Sequence, residues 1–179
     1  MDYSDKELLE LFKTNSSYAF NLLVRKYQKQ IYWHVRRIVI VHDDANDIVQ
    51  NTFIKVWENL KNFREESKLY TWLYQIATNE SINFLKKKRT KFFIPIIDVE
   101  SELSQKLEDN NCFSGNQIQL KLQKAILKLP EKQRIIFNMR YFDELPYEKI
   151  SEILGTTVGG LKASYHHAVK KIEKFVIEN

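Results

Sequence analysis

Cysteine, glycine and proline are scarce in this chain of 179 residues. The single cysteine, Cys112, excludes an internal disulfide and any zinc site built from several cysteines. There are 4 glycines and 3 prolines, and the Asn-Gly and Asp-Gly pairs that are typical of β-hairpins are absent. Because residues that interrupt helices are few, the sequence predicts an all-α fold.

Long apolar runs are also missing. No run approaches the ~20 residues that a membrane-spanning helix needs. The first residues, M-D-Y-S-D-K-E, lack the basic and apolar regions of a signal peptide. We therefore expect a cytoplasmic protein without membrane insertion.

Motifs of catalysis are absent as well. The chain has no glycine-rich phosphate loop, no nucleophile elbow and no set of carboxylates and histidines spaced to bind a metal. The adjacent His166 and His167 diverge by roughly 100° on a helix, and no second cluster of ligands accompanies them. We expect no enzyme activity, no cofactor and no metal.

Charge is distributed in three blocks. The net charge is +4 over residues 1–89, −3 over 90–117 and +4 over 118–179. Two basic blocks joined by an acidic one are compatible with a polyanionic partner, although many solvated helical surfaces have a similar balance.

Apolar periodicity predicts four helices in the first block. A short helix runs from Ser4 to Lys13, where Ser4 and Glu7 form a capping box. A long helix follows from Ser17 to about Ile40. The next, from Asp44 to Leu60, has apolar residues at intervals close to 3.6 and a polar opposite face. Trp57 belongs to its apolar set, and truncation to alanine would cost roughly 3–5 kcal/mol if Trp57 is fully buried.

The fourth segment, Phe63 to Arg89, is a polar loop followed by a helix that Ser67 can cap. One face is apolar. A second stripe combines aromatic, amide and ammonium groups at steps of three and four: Trp72, Gln75, Asn79, Asn83 and Lys86. Such groups suit unpaired bases, base edges and phosphates. The alternative is an amphipathic helix whose polar side is simply solvated.

Periodicity fails from Thr90 to about Gln117, which predicts a flexible acidic linker. Helices resume beyond it. One helix is predicted from Pro130 to Phe142. A short helix that starts at Pro146 ends at Gly155, and Thr157 caps a last helix, an order typical of a helix-turn-helix. The second helix of such a unit enters the major groove. The residues predicted to face DNA are Thr157, Gly159, Lys162, Ala163, His166, His167 and Lys170. The alternative is an ordinary helical hairpin within a bundle.

Four segments resemble bacterial sigma factors of the extracytoplasmic-function group: D-D-A-N-D-I-V-Q-N-T-F-I-K-V-W (43–57), T-W-L-Y-Q-I-A-T-N (71–79), L-P-E-K-Q-R-I-I-F (129–137) and L-P-Y-E-K-I-S-E-I-L-G-T-T-V-G-G-L-K (145–162). The resemblance spans nearly the whole chain. It implies two small helical domains, region two at 1–90 and region four at 117–179, joined by a linker at 91–116.

The resemblance also implies partners. Core RNA polymerase would bind through the clamp of its largest subunit and the flap of its second-largest subunit, and promoter DNA and an anti-sigma factor would be further partners. The implied clamp-binding residues are Asp44, Asp47, Ile48, Gln50, Asn51, Phe53 and Lys55.

Promoter contacts follow from the same resemblance. A flipped base of the minus-ten element would be captured by the loop that contains Phe63, Arg64, Ser67, Lys68 and Leu69, with Tyr74 and Asn79 nearby. Lys86 and Lys87 would meet phosphates. The last helix would read the minus-thirty-five element as duplex DNA, and the acidic linker would follow the RNA exit path.

Four residues depart from the pattern of many relatives. Gly160 stands where Thr or Ala is usual, Ala163 where Ser is usual, Ser164 replaces an arginine and Pro146 replaces a Ser cap, so the promoter preference cannot be transferred. The competing hypothesis is a dimeric helix-turn-helix regulator that binds a palindromic site without polymerase.

Overall fold

The chain folds as an all-α protein. Its structure, a computed structural model, describes residues 3–63, 68–92 and 117–178. The helices within these ranges are α1 (Asp5–Thr14), α2 (Ser16–Val39), α3 (His42–Asn59), a 3-10 turn (Leu60–Asn62), α4 (Leu69–Phe92), α5 (Gln117–Leu127), α6 (Glu131–Tyr141), α7 (Tyr147–Leu154) and α8 (Val158–Glu178). None of these helices is long and apolar enough to cross a membrane.

Local hydrogen bonds explain where the first helices begin. The amide of Glu7 donates to Ser4 Oγ at 3.3 Å, and the Ser4 amide donates back to Glu7 Oε2 at 2.7 Å. This confirms the predicted capping box, and the bonds from Ser4 lower the pKa of Glu7. The cap of α2 is Asn15, whose side chain accepts from the Tyr18 amide, so α2 begins one residue before the predicted Ser17.

α1 to α4 enclose one core. The buried face of α2 includes Leu23, Ile31 and Ile38, and α4 contributes Leu73 and Ala77. α3 packs against both α2 and α4, which also contact each other. Because residues at spacings of three and four lie on one helix face, these stripes meet in the centre of the bundle.

Trp57 is 39% exposed, so the full burial on which the estimated cost of its truncation depends is not met. The centre of the α3 stripe is Ala45, Ile48, Thr52 and Val56, all buried. Trp57 is roughly 100° away from Val56 around the helix, so its ring lies at the edge of the core. It contacts Phe20 edge-on, with 5.0 Å between ring centroids.

α5 to α8 form the second half of the chain, around a cluster that includes Ala125, Leu129, Phe137, Ala168 and Ile172. α6 and α7 begin one residue later than predicted, because Pro130 and Pro146 are the caps that precede them rather than their first helical residues. The ψ angles of 141° at Pro130 and 151° at Pro146 are outside the helical range.

The turn of the helix-turn-helix is as predicted. Gly155 ends α7 with φ 60° and ψ 37°, a left-handed conformation that glycine adopts without steric cost. The amide of Gly160 donates to Thr157 Oγ1 at 3.2 Å, so Thr157 caps α8. α7 and α8 pack directly against each other.

The two halves also pack against one another: α6 contacts α2, and α7 contacts α4. Apolar residues of the second half, Ile135, Ile136, Met139, Leu145 and Ile150, belong to the same buried cluster as the core of the first half. One of the two buried apolar clusters in the described part of the chain therefore continues across both halves. The expectation of two separate helical units did not include this contact.

Candidate nucleic-acid and polymerase interfaces

The outer face of α3 presents most of the polar residues that were predicted to contact polymerase. Asp47, Gln50, Asn51 and Lys55 are all exposed. Lys55 Nζ lies 2.6 Å from Glu80 Oε1, which links α3 to α4. Asp44 is less accessible, because its carboxylate pairs with Lys88 at 3.1 Å.

Two other predicted contact residues on α3 face inward. Ile48 is 2% exposed and Phe53 is 7% exposed. The side chain of Ile48 fills the core between the helices, and its contact with polymerase stays a prediction. Phe53 contributes instead to the floor of a surface groove.

This groove lies between α2 and α3 and has a volume of about 500 Å³. Phe20 and Val24 form its α2 side, and Phe53, Ile54 and Trp57 form its α3 side. Ile54 is 55% exposed. An exposed apolar side chain beside such a groove is typical of a protein-binding surface.

Sequence reasoning missed Ile54. Its spacing contained the signal, because residues 47, 50, 51, 54 and 58 recur at steps of three and four and share one helix face. An isoleucine within that otherwise polar face indicates a surface that is covered by a partner.

The stripe on α4 is present on the surface as predicted. Gln75, Asn79, Asn83 and Lys86 are exposed, and Trp72 is half-buried. The ring of Phe63 lies against that of Trp72, with 5.0 Å between centroids. Lys68 and Lys87 are exposed as well. Arg64 and Ser67, which were predicted to contact DNA, lie outside the described residues.

Two residues of the predicted minus-ten set are buried. Leu69 is 2% exposed and Tyr74 is 3% exposed. Both side chains belong to the core cluster, and their contact with DNA stays a prediction. Burial raises the pKa of the Tyr74 hydroxyl, and the negative charge of Asp143 raises it further.

The recognition face of α8 is fully accessible. All seven residues predicted to face duplex DNA are exposed: Thr157, Gly159, Lys162, Ala163, His166, His167 and Lys170. The ammonium group of Lys162 lies 5.8 Å from the ring centre of Tyr147 on α7. The opposite face of α8 is anchored by Leu161, Ala168 and Ile172, which are buried.

The two histidines do not form part of a metal cluster. Their ring centroids are 6.1 Å apart and their planes are tilted by 55°. Within the described ranges, no group of three or more His, Cys, Asp or Glu residues is arranged to hold a metal ion. Both imidazoles lie instead on the exposed face of α8 that is predicted to meet the major groove of DNA.

Comparisons with known proteins agree with both halves of this arrangement. The family model for Sigma-70 region 2 matches residues 23–91, and that for Sigma-70, region 4 matches residues 119–172. The chain is 32% identical to the RNA polymerase sigma-H factor of Pseudomonas aeruginosa over 180 residues, which cover 95% of this chain and 92% of the relative. It is 31% identical to the ECF RNA polymerase sigma factor SigW of Bacillus subtilis, with 97% of each chain covered.

Solved structures share the fold. CnrH in complex with the cytosolic domain of CnrY matches with a TM-score of 0.73 and 18% identity, over 98% of both chains. The sigma factor RpoE of Bartonella quintana, in complex with the anti-sigma factor NepR, matches with a TM-score of 0.67 and 20% identity, over 88% of this chain and 96% of that one. The chain belongs to the extracytoplasmic-function group of the sigma-70 family of RNA polymerase sigma factors.

Proposed function

We propose that this sigma factor, which binds RNA polymerase for promoter-directed transcription initiation, uses three separate surfaces. The outer face of α3 and its groove bind core polymerase. The α4 stripe captures the unpaired strand of the minus-ten element, and α8 reads the minus-thirty-five element as duplex. The observation that carries the proposal is the exposure of all three surfaces, each with chemistry suited to its partner.

The α3 surface combines an apolar centre with a polar rim. Ile54 and Trp57 are partly exposed beside the groove, and Asp47, Gln50 and Asn51 surround them. Interfaces between proteins commonly have this arrangement, in which a few large apolar side chains provide most of the binding free energy. We therefore assign polymerase binding to this face.

The α4 surface suits single-stranded DNA. A partly exposed indole can stack on a base, the amides of Gln75, Asn79 and Asn83 can bond to base edges, and the lysines at the C-terminal end can meet phosphates. The amides are one turn apart, so successive groups along the helix can follow a strand.

Energetics require the polymerase for promoter opening. Separating ten base pairs costs on the order of 14 kcal/mol at about 1.4 kcal/mol per step. Stacking returns only about 1–3 kcal/mol for each captured base. The free chain therefore binds promoter DNA weakly and opens it only together with the polymerase.

We further propose an anti-sigma partner. The structural relatives CnrH and RpoE were solved with CnrY and the anti-sigma factor NepR respectively. A cleft of about 320 Å³ between the two halves of this chain, lined by Lys29, Trp33, Tyr70 and Phe142 among others, supports a binding segment at this place.

Run-off transcription with purified core polymerase tests the assignment. Ile54→Ser removes the apolar centre of the α3 surface, and we expect polymerase binding to weaken at least tenfold, with a matching loss of transcript. Ile177→Ser is the matched control, because Ile177 is 84% exposed near the end of α8. Equal polymerase affinity in the two variants would exclude the α3 groove as the interface.

Promoter opening is tested separately with Asn79→Ala. We expect the holoenzyme to retain duplex binding but to open the promoter poorly, as measured by permanganate reactivity of the minus-ten thymines. Asn21→Ala on α2, which also removes an exposed amide, is the control. Similar losses of duplex binding and of opening would contradict a role in strand capture.

A further inference from the structure

Two cations lie near the ring of Tyr147, the first residue of α7. The ammonium group of Lys162 on α8 is 5.8 Å from the ring centre, and Cζ of Arg140 on α6 is 5.3 Å from it. A cation within about 6 Å of an aromatic ring is attracted by the negative charge of the ring face. The guanidinium of Arg140 also donates to the Leu145 carbonyl at 3.3 Å, whereas Lys162 is exposed on the recognition face of α8. Tyr147 therefore connects the turn before α7 with a side chain that is predicted to meet DNA.

Contacts within the second half fix the position of the Tyr147 ring. Tyr147 is half-buried, and its ring meets that of Tyr165 edge-on, with 6.2 Å between centroids and 78° between planes. Tyr165 stacks in turn on Phe137 of α6, with centroids 5.7 Å apart. Phe137 is 4% exposed and belongs to the buried cluster of the second half. The ring that lies near Lys162 is thus held by the core, while Lys162 itself is a flexible surface side chain.

Lys162 starts from the edge of the recognition face rather than from its centre. Its neighbour Leu161 is fully buried, and successive residues of a helix point roughly 100° apart. The centre of the outward face is occupied instead by Ala163, His166 and Lys170, which are all exposed. Because a lysine stem is long and flexible, an ammonium group at the edge needs a neighbour to direct it. The ring of Tyr147 is such a neighbour.

We infer that Tyr147 is a positioning residue for Lys162 and thereby contributes to the sequence preference of α8. The ring holds the ammonium group on the α7 side of the recognition face before DNA is present, so less conformational entropy is lost when Lys162 meets a base. The apolar part of the lysine stem can stay on the ring while the ammonium group reaches beyond it. This inference rests on the proposed function, in which α8 reads the minus-thirty-five element. A cation–π contact at an exposed site corresponds to a change of about two- to fivefold in binding.

Nuclear magnetic resonance of the unmodified chain tests the contact without DNA. Protons above an aromatic ring resonate upfield, so we expect the methylene protons beside the ammonium group of Lys162 to lie upfield of those of Lys170, which is also exposed on α8. We expect Tyr147→Leu to abolish this difference and Tyr147→Phe, which retains the ring, to keep it. Equal shifts for the two lysines in the unmodified chain would overturn the inference.

Competition binding of the holoenzyme to the cognate upstream element and to a scrambled element tests the consequence. We expect Tyr147→Leu to reduce the preference for the cognate element about two- to fivefold, and Tyr147→Phe to retain it. In the Lys162→Ala background we expect Tyr147→Leu to change the preference no further, because both substitutions remove the same contact. Tyr141→Leu is the matched control: it makes the same substitution at a ring that lies against Phe137 and Phe142 instead.

A purely structural role of Tyr147 gives a different pattern. Tyr147→Leu would then reduce the preference equally with and without Lys162, and this result would overturn the inference. A loss of preference in Tyr147→Phe would also overturn it, because the hydroxyl group would then act on DNA directly. Circular dichroism and urea unfolding establish that each variant is folded, and Tyr147→Met takes the place of Tyr147→Leu if the latter is not.

The failure of the proposed function is distinguishable from these outcomes. In that case neither Lys162→Ala nor Tyr147→Leu would alter the preference between the two elements. When the inference alone fails, Lys162→Ala still reduces the preference, whereas Tyr147→Leu leaves it unchanged.

Discussion

At the scale of single residues, the tyrosines between α2 and α4 make the stability of the fold depend on pH in the alkaline range. Tyr70 and Tyr74 have ring centroids 4.4 Å apart, and Tyr27 lies against Tyr70 at 6.4 Å. Burial raises the pKa of Tyr70 to about 12 and also raises the pKa values of Tyr27 and Tyr74. A tyrosine in the unfolded chain has a pKa of about 10.

The sign of the effect follows from these values. The unfolded chain loses its phenolic protons first, so the stabilisation is complete below pH 10 and is lost as the pH rises towards 12. We expect the free energy of unfolding to fall over this range, and Tyr70→Phe to reduce the slope by up to about 1.4 kcal/mol per pH unit. Urea unfolding at several pH values measures the slope of the free energy of unfolding against pH. Tyr18→Phe, at a residue that is 50% exposed, provides the comparison, and equal slopes in the two variants would refute the argument.

Lys162 is the residue of α8 with the clearest test of base reading. We expect Lys162→Ala to weaken holoenzyme binding to the cognate upstream element by about 1–3 kcal/mol, and to have less effect on a scrambled element. Lys171→Ala is the control, because Lys171 is exposed but donates to Gln133 Oε1 at 3.0 Å, towards α6. Competition binding measures both. A uniform loss on every sequence would mean that Lys162 contacts phosphate alone.

At the scale of elements, the start of α8 combines a good cap with poor helix formers. Thr157 caps the helix, yet Gly159 and Gly160 follow it. A Cβ at Gly159 would meet nothing within 4 Å, whereas one at Gly160 would lie 3.1 Å from Thr157 Oγ1. We expect Gly159→Ala to raise the free energy of unfolding by up to about 1 kcal/mol, and Gly160→Ala to raise it less. Urea midpoints measure the difference, and a larger gain at position 160 would contradict it.

Periodicity and capping chemistry predicted most of these elements, because both act over a few residues. Ser4 and Thr157 were predicted as N-caps from their hydroxyl groups, and Gly155 as a C-cap from its lack of a side chain; the structure confirms each one. Trp57 was placed too deep, because spacing identifies a helix face but not how far the neighbouring helix covers its edge. The resemblance placed Tyr74 near the base-capturing loop, although its ring is 3% exposed and lies against that of His34 on α2.

At the scale of the whole molecule, the contact between the halves could not be predicted from sequence. Spacing places His34 beside Ile31 and Val35 on the buried face of α2, but its partner Asp143 is 109 residues away in a turn. A carboxylate in a turn is usually solvated, so nothing local marks this one as buried. Only the packing of α6 and α7 on the first half identifies it.

The length of chain between the two halves of the protein limits how far they can separate. About 24 residues lie between Phe92 and Gln117. Fully extended, they span at most about 80 Å. If each half has a radius of about 15 Å, the segment must cover about 55 Å for the halves to reach both promoter elements. The centres of these elements are about 25 base pairs, or roughly 85 Å, apart. The available length is sufficient with a modest excess.

Removal of 12 residues from this segment reduces its maximal reach to about 40 Å, which is too short. We expect the shortened chain to bind core polymerase, because the α3 surface is unaffected, but to lose run-off transcription from promoters that require both elements. A variant of the original length, in which the same 12 residues are replaced by Gly and Ser, separates length from composition and retains transcription. Full activity of the shortened chain would mean that the two halves do not occupy both elements at the same time, and loss of activity in the Gly and Ser variant would mean that the side chains of the segment, rather than its length, are required.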